Sequence, residues 1–226
     1  MWRKFGIVFL VAASVGTFFH GVADGAAKVH TVALGKWTTV QWTAATGNVE
    51  KPVPMKVRAL IVDGRVKEYV IGSPHDVTDR LFVARRIFRV NDSLPEDATP
   101  HWQWQRGGWL VVDRLTGKIS SVNLPEFDPF YSAASWYRDY VAYCGVSDDG
   151  KKTYALVAQL SRRKAVLKKV LGEAIAENAA PDSACSPPQW QKAPARVSFE
   201  SGSTKLTFAI RGHVVDQVAD DQDDDE

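Results

Sequence analysis

The sequence predicts an all-β fold of antiparallel meanders, arranged as a small propeller or as a sandwich or barrel, with at most one short helix near 172–178. Three observations carry this. Apolar and polar residues alternate with a period of two in Lys28–Trp42 and in Met55–Ile71, the pattern of a half-buried strand. Clusters of Asp, Gly and Ser separate those stretches where a hairpin would turn. Eight tryptophans stand in 226 residues, and large aromatics favour pleated surfaces or aromatic binding faces.

Lys28 to Trp42 (KVHTVALGKWTTVQW) alternates and breaks near Gly35, which predicts one or two strands. Thr43 to Pro54 reads as a polar loop. Met55 to Ile71 is the clearest hairpin. Val57, Ala59 and Ile61 alternate with Arg58, Leu60 and Val62, and Asp63-Gly64 is the favoured two-residue type I′ turn. Ser73 to Arg80 reads as loop. Leu81 to Val90 (LFVARRIFRV) is assigned as strand on its β-branched and aromatic content. Asn91 to Pro100 is a turn-rich loop. His101 to Leu124 carries a second hairpin that turns at Asp113 to Gly117, and Pro125 to Ser132 (PEFDPFYS) connects it onward.

Ser135 to Leu171 is the best organised stretch. Tyr137–Tyr143, Thr153–Leu160 and Ala165–Leu171 make a three-strand meander around turns at Ser147–Gly150 and Ser161–Lys164. A helix from about Leu160 to Glu177 competes, because Leu160, Val166, Leu167, Val170, Leu171 and Ile175 share some helical spacing. Pro181, Pro187 and Pro188 then enforce loop. Arg196–Phe199 and Leu206–Ile210 form a last hairpin around Ser201-Gly202-Ser203.

The N-terminus predicts export. Arg3 and Lys4 precede an apolar run from Phe5 to Phe19, and small residues suited to signal peptidase follow near Gly25-Ala26-Ala27. The run falls short of the ~20 residues that span a bilayer, and no later segment is apolar enough to do so. The expected organisation is a signal peptide at 1–27, one β-rich domain at 28–218 and a disordered acidic tail at 219–226. The expected location is secreted or periplasmic. In an oxidising compartment Cys144 and Cys185, the two cysteines of the chain, are expected to pair. From Lys28 to Val218 there are 26 basic and 19 acidic residues, a net charge of +7, whereas Asp220 to Glu226 holds six acids and no base. The tail has no calcium-loop spacing.

Three hairpins share a shape: an apolar strand, an Asp/Gly turn, then a strand that opens near a base. WLVVDRLTGKISSV and VAYCGVSDDGKKTYALVA carry it most clearly. These segments resemble blades of quinoprotein and WD40 β-propellers respectively, across about half of the expected mature chain. The resemblance implies a repeated four-stranded unit, although the Trp-Asp signature is missing. The whole also resembles small exported proteins of the bacterial envelope, which implies no activity.

Candidate chemistry is sparse. The Gly-x-Ser-x-Gly elbow is missing, as is a glycine-rich phosphate loop. His30, His75, His101 and His213 show no metal-ligand spacing, so neither metal nor cofactor is expected. Glu126 and Asp128 are a carboxylate pair among aromatics, suited either to glycoside hydrolysis or to capping a turn. In His101-Trp102-Gln103-Trp104-Gln105 a strand places Trp102 and Trp104 on one face, where they form either core or a platform for sugar rings or a peptide. Trp136, Tyr137 and Arg138 pose the same choice. Arg85, Arg86 and Arg89, and the run Arg162-Arg163-Lys164, are either solvated or polyanion-binding. The reading favours an exported, soluble, non-enzymatic binding or scaffold module of the envelope with a protein or saccharide ligand and no nucleic acid. An envelope hydrolase acting on saccharides is the alternative.

Overall fold

In the computed structural model, which describes residues 29–46, 49–173, 186–201, 204–211 and 214–218, the first sheet grows outward from the Asp63-Gly64 turn. Both residues have positive φ, 52° and 73°, as a type I′ hairpin requires and as Asp and Gly tolerate. The turn joins β3 (Val49–Val62) to β4 (Arg65–Asp76). Asp63 also accepts hydrogen bonds from the His30 ring at 2.9 Å and the Thr31 amide at 3.1 Å. β1 (Val32–Leu34) and β2 (Thr38–Thr46) pair with β3 as one strand interrupted near Gly35. β5 (Leu81–Asn91) pairs with β4, β6 (Trp102–Asp113) with β5, and the short β7 (Ile119–Val122) with β6. The path then returns to its start, because Trp42 of β2 pairs with Trp104 of β6. A meander from β2 to β6 has an odd number of strands, so its first and last run the same way. Only a parallel pair can close the ring, and this one is parallel.

Two segments predicted as loop are strand. Thr43 to Thr46 and Val49 to Pro54 are strand, paired as β2 and β3 with Thr43 opposite Pro52 and Gln41 opposite Pro54. The prolines misled the reading because proline removes a ladder donor. Here they lie two residues apart, so both missing N–H groups fall on the same side of β3. From Val49 to Lys56 that strand pairs only with β2, and proline is tolerated on such an open edge and blocks further pairing there. Ser73 to Asp76 extends β4 past Gly72, whose φ of 66° marks the register shift.

The second sheet holds β8 (Ala134–Tyr137), β9 (Tyr140–Val146), β10 (Lys152–Gln159) and β11 (Leu167–Glu173). The helix from Leu160 to Glu177 is not formed over its described part. Leu167 pairs with Val157, and the side chains alternate from Val170, 54% exposed, to Leu171, 4% exposed. Gly172 and Glu173 end β11, and the rest of 172–178 lies outside the described residues. The third sheet holds β12 (Gln189–Lys192), β13 (Ala195–Ser201), β14 (Thr204–Arg211) and β15 (Val214–Val218). Its outer strands are short and lack an apolar run, which is why the sequence showed only the central hairpin. No described residue is helical, so the all-β class holds.

The second sheet is covered on both faces. Ala142, Cys144, Ala155 and Val157 pack on Val197, Phe199, Phe208 and Ile210 of the third sheet. Val141, Tyr143, Leu156 and Ala158 point the other way, alongside Ala134 and Trp136 of β8 and against Leu124 and Phe127. A strand buried on both faces loses its alternation, hence the continuous apolar runs YVAYCGV and TYALVAQ. Phe199 and Tyr143 are fully buried, and burying a side chain of that size stabilises by roughly 2–3 kcal/mol. A separate core of Leu60, Val70, Phe82, Ala84, Leu110 and Val112 lies on one face of the first sheet. Cys144 is fully buried and is not a free thiol. Its expected partner Cys185, the signal segment 1–27 and the tail 219–226 lie outside the described residues.

The β6–β7 turn gives two testable outcomes. Gly117 has φ of 64°, and a Cβ there meets Val62 Cγ1 at 2.7 Å, whereas Gly150, with φ of 68°, faces open space. G150A is expected to cost about 1 kcal/mol from backbone strain alone. G117A adds a clash and should cost about 2–4 kcal/mol by urea unfolding. In the same turn Arg80 donates to both carboxylate oxygens of Asp113, at 2.8 and 2.5 Å. These bonds hold the Asp113 carboxyl well below the usual carboxylate range. Its stabilising contribution is therefore complete above the ordinary carboxylate pKa of about 4 and fades as pH falls toward the folded value. D113N is expected to flatten the fall in Tm between about pH 5 and pH 2, least visibly at high salt.

Candidate functional site: an aromatic and arginine face

The β5–β6 register decides what Trp102 and Trp104 face. They stand opposite Asn91 and Arg89, and Tyr69 of β4 stands opposite Ile87. Residues of the same parity share a face, so Tyr69, Arg89, Trp102 and Trp104 lie together. Trp102 is 52% exposed and Tyr69 39%, while Trp104 is half-buried. The Arg89 guanidinium lies 5.1 Å from the Trp102 ring centre and 5.8 Å from that of Trp104. Tyr69 meets Trp104 edge to face at 5.2 Å. Arg89 makes no ion pair among the described residues, so its charge is held by the two indoles at about 0.5–1 kcal/mol each.

The face continues inward to a buried base. Trp42, 3% exposed, neighbours Trp104 in the parallel pair, carries the Arg106 guanidinium 4.1 Å above its ring, and packs on Phe130 at 5.6 Å. Beyond Arg106, β6 bulges where Gly107 and Gly108 oppose Arg86. A side chain at Gly107 would crowd the Arg86 Cβ at 3.2 Å and its carbonyl at 3.3 Å. The bulge marks where the exposed end of this face gives way to the covered middle.

Trp136, Tyr137 and Arg138 belong to that middle and to the sheet junction, not to the Trp102 face. Trp136 lies edge to face with Trp109 at 5.4 Å and stacks beside His75 at 6.1 Å. Trp109 is five residues along β6 from Trp104, about 16 Å at strand rise. Tyr137 packs on Trp190 at 5.4 Å and donates to the Lys192 carbonyl at 3.3 Å. Arg138 turns the β8–β9 hairpin with φ of 54°, lies over Tyr137 at 5.4 Å, and its carbonyl accepts from His75 Nε2 at 2.8 Å. The neighbouring Asp139 accepts from Gln159 Nε2 at 2.7 Å.

The carboxylate pair is taken up structurally. Asp128 caps its turn, accepting from the amides of Phe130 at 2.7 Å and Tyr131 at 3.3 Å. Glu126, with φ of 56°, is ion-paired with Lys168. The two acids thus serve different partners. Arg85 and Arg86 are likewise engaged, Arg85 with the Pro129 carbonyl at 2.6 Å and Arg86 with Glu68 at 2.9 Å. Among the described residues no group of three or more His, Cys, Asp or Glu side chains is placed to hold a metal ion.

Sequence reasoning paired Trp102 with Trp104 and singled out Arg89 only within a basic run with Arg85 and Arg86; it did not bring Arg89 to the tryptophans and missed Tyr69. The Asn91–Pro100 loop is too long to set the register of β6 against β5 by counting, so the residues across from the tryptophans were not readable. No family model, no curated protein and no solved structure matches the chain.

The contrast in burial predicts a contrast in stability. W102A is expected to cost about 1 kcal/mol or less, because half of the ring is in water and its contact with Arg89 is worth no more than that. W42A removes a buried ring under Arg106 and should cost about 3–5 kcal/mol. Chemical denaturation of the two variants checks this.

Proposed function

We propose that the chain is a non-enzymatic binding module exported to the cell envelope, and that the face of Trp102, Arg89 and Trp104 holds a saccharide. The single observation that supports this most is a partly exposed aromatic pair with an arginine across it that has no carboxylate partner. Trp102 and Trp104 project from one face about 7 Å apart along the strand. A sugar ring stacks its C–H face on an indole, while a guanidinium donates to hydroxyls or to a sugar carboxylate. The hydrolase alternative needs two converging acids, and Glu126 and Asp128 are committed to Lys168 and to the turn.

Titration of the mature protein with soluble wall-polymer fragments, followed by tryptophan fluorescence and calorimetry, tests the reading. The expected result is saturable binding that W102A and R89A each weaken by about tenfold or more, near 1.4 kcal/mol. Undiminished binding by both variants, or no fragment bound by the parent protein, would contradict it. Export belongs to the same proposal. The mature N-terminus is expected between Asp24 and Lys28, with Cys144 and Cys185 joined. Mass spectrometry of exported material under non-reducing conditions should find no alkylatable thiol; intact Met1 or two free thiols would overturn export or the bridge respectively.

A further inference from the structure

The face that carries Trp102 at one end of β6 opens into a cleft at the other. Its volume is about 530 Å³, within the range of roughly 300–1,000 Å³ typical of small-molecule sites. Leu81, Val111, Val122 and Leu160 give it apolar walls, and Lys118, Arg162 and Arg163 add cations. Two structural units meet here: the β5–β6–β7 edge of the ring, and the turn after β10 of the second sheet.

The charges in the cleft do not cancel internally. Its two carboxylates are Asp113 and Asp139. Asp113 is held bidentately by Arg80 at 2.8 and 2.5 Å. Asp139 is hydrogen-bonded by a neutral amide, Gln159, at 2.7 Å. Lys118, Arg162 and Arg163 make no ion pair among the described residues. With Asp113 neutralised by Arg80, three unpaired cations face one carboxylate. Ser120, which stands opposite Val111 on the cleft face, and Ser161 also line the cleft, and their hydroxyls have no hydrogen-bond partner among the described residues. Unused donors and surplus positive charge over an apolar floor select a molecule with an anionic head and an apolar body.

We propose that this cleft binds an amphipathic organic anion, a carboxylate or phosphate monoester on an aliphatic or aromatic body. Arg162, Arg163 and Lys118 hold the head, the serine hydroxyls complete its hydrogen bonds, and Val111, Val122 and Leu160 take the body. The site is separate from the saccharide face, because Val111 stands seven residues from Trp104, about 23 Å along β6.

Anilinonaphthalene sulfonate combines an aromatic body with an anionic head and reports binding by fluorescence. Titrated into the mature protein, it is expected to saturate a single site. R162E/R163E should weaken it by about tenfold or more. S120W, which keeps the charges but fills the cleft beside Val111, should weaken it similarly, both variants keeping the parental unfolding midpoint. Decanoate and decyl phosphate should displace the dye, the more potent of the two identifying the preferred head group, whereas decylammonium should not displace it. W102A should leave the titration unchanged, so failure of the saccharide reading and failure of this one are separable. Binding by R162E/R163E within roughly twofold of the parent, displacement by decylammonium equal to that by decanoate, or loss of dye binding in W102A would overturn the proposal. Binding to anionic phospholipid vesicles without displacement of the dye by either free amphiphile would also overturn it, in favour of a membrane surface.

Discussion

The connector between β7 and β8 is the constraint on which the other layers depend. It lies between the ring and the central sheet and supplies apolar surface to both. Phe130 covers Trp42 and Phe127 packs on Tyr143 at 5.5 Å, and the connector leads directly into β8, whose Trp136 covers Trp109. Its backbone is fixed as firmly as its side chains. Arg85 donates to the Pro129 carbonyl at 2.6 Å and Tyr143 donates to the Pro125 carbonyl at 2.7 Å. Burial pushes the Tyr143 hydroxyl well above the usual phenol range, with the nearby Glu126 charge adding to it. That tyrosine therefore stays neutral at physiological pH and serves as a fixed donor.

A wedge of this size covers only the middle of the sheet face behind it. At one end the face runs out from under Phe130 and leaves Trp102 and Arg89 in water. At the other it diverges from the turn after β10 and leaves the basic cleft. Both candidate sites thus follow from one packing fact, and each sits on strands held by the same core. That suits binding to a preformed surface, where little ordering entropy is lost on association.

Local chemistry was readable in the sequence wherever a turn and its flanking pattern agreed. Asp63-Gly64, the Asp113–Gly117 turn and the β9–β10 hairpin are found where residue type required them. What failed was chemistry that depends on position in the sheet. Pro52 and Pro54 signal loop in a central strand but are compatible with an open edge, and the sequence does not say which strand is an edge. Trp136 and Trp102 are the same residue in similar strand-like settings, yet one packs under a sheet and the other faces solvent. The difference lies in long-range pairing. Arg89 became part of the candidate site only through a register set across a long loop. Helix against strand at Leu167–Glu173 was likewise settled by a partner, β10, whose pairing brings Leu171 inward and leaves Val170 outside.

The central claim is that one sheet face is core in its middle and open at its end. Hydroxyl-radical footprinting read residue by residue by mass spectrometry tests it without any ligand. The account predicts rapid oxidation of Trp102, at 52% exposure, and strong protection of Trp42 and Trp109, at 3% and 9%. Trp102 protected to the same degree as Trp42 would mean that the aromatic face is part of the core, and would contradict the account.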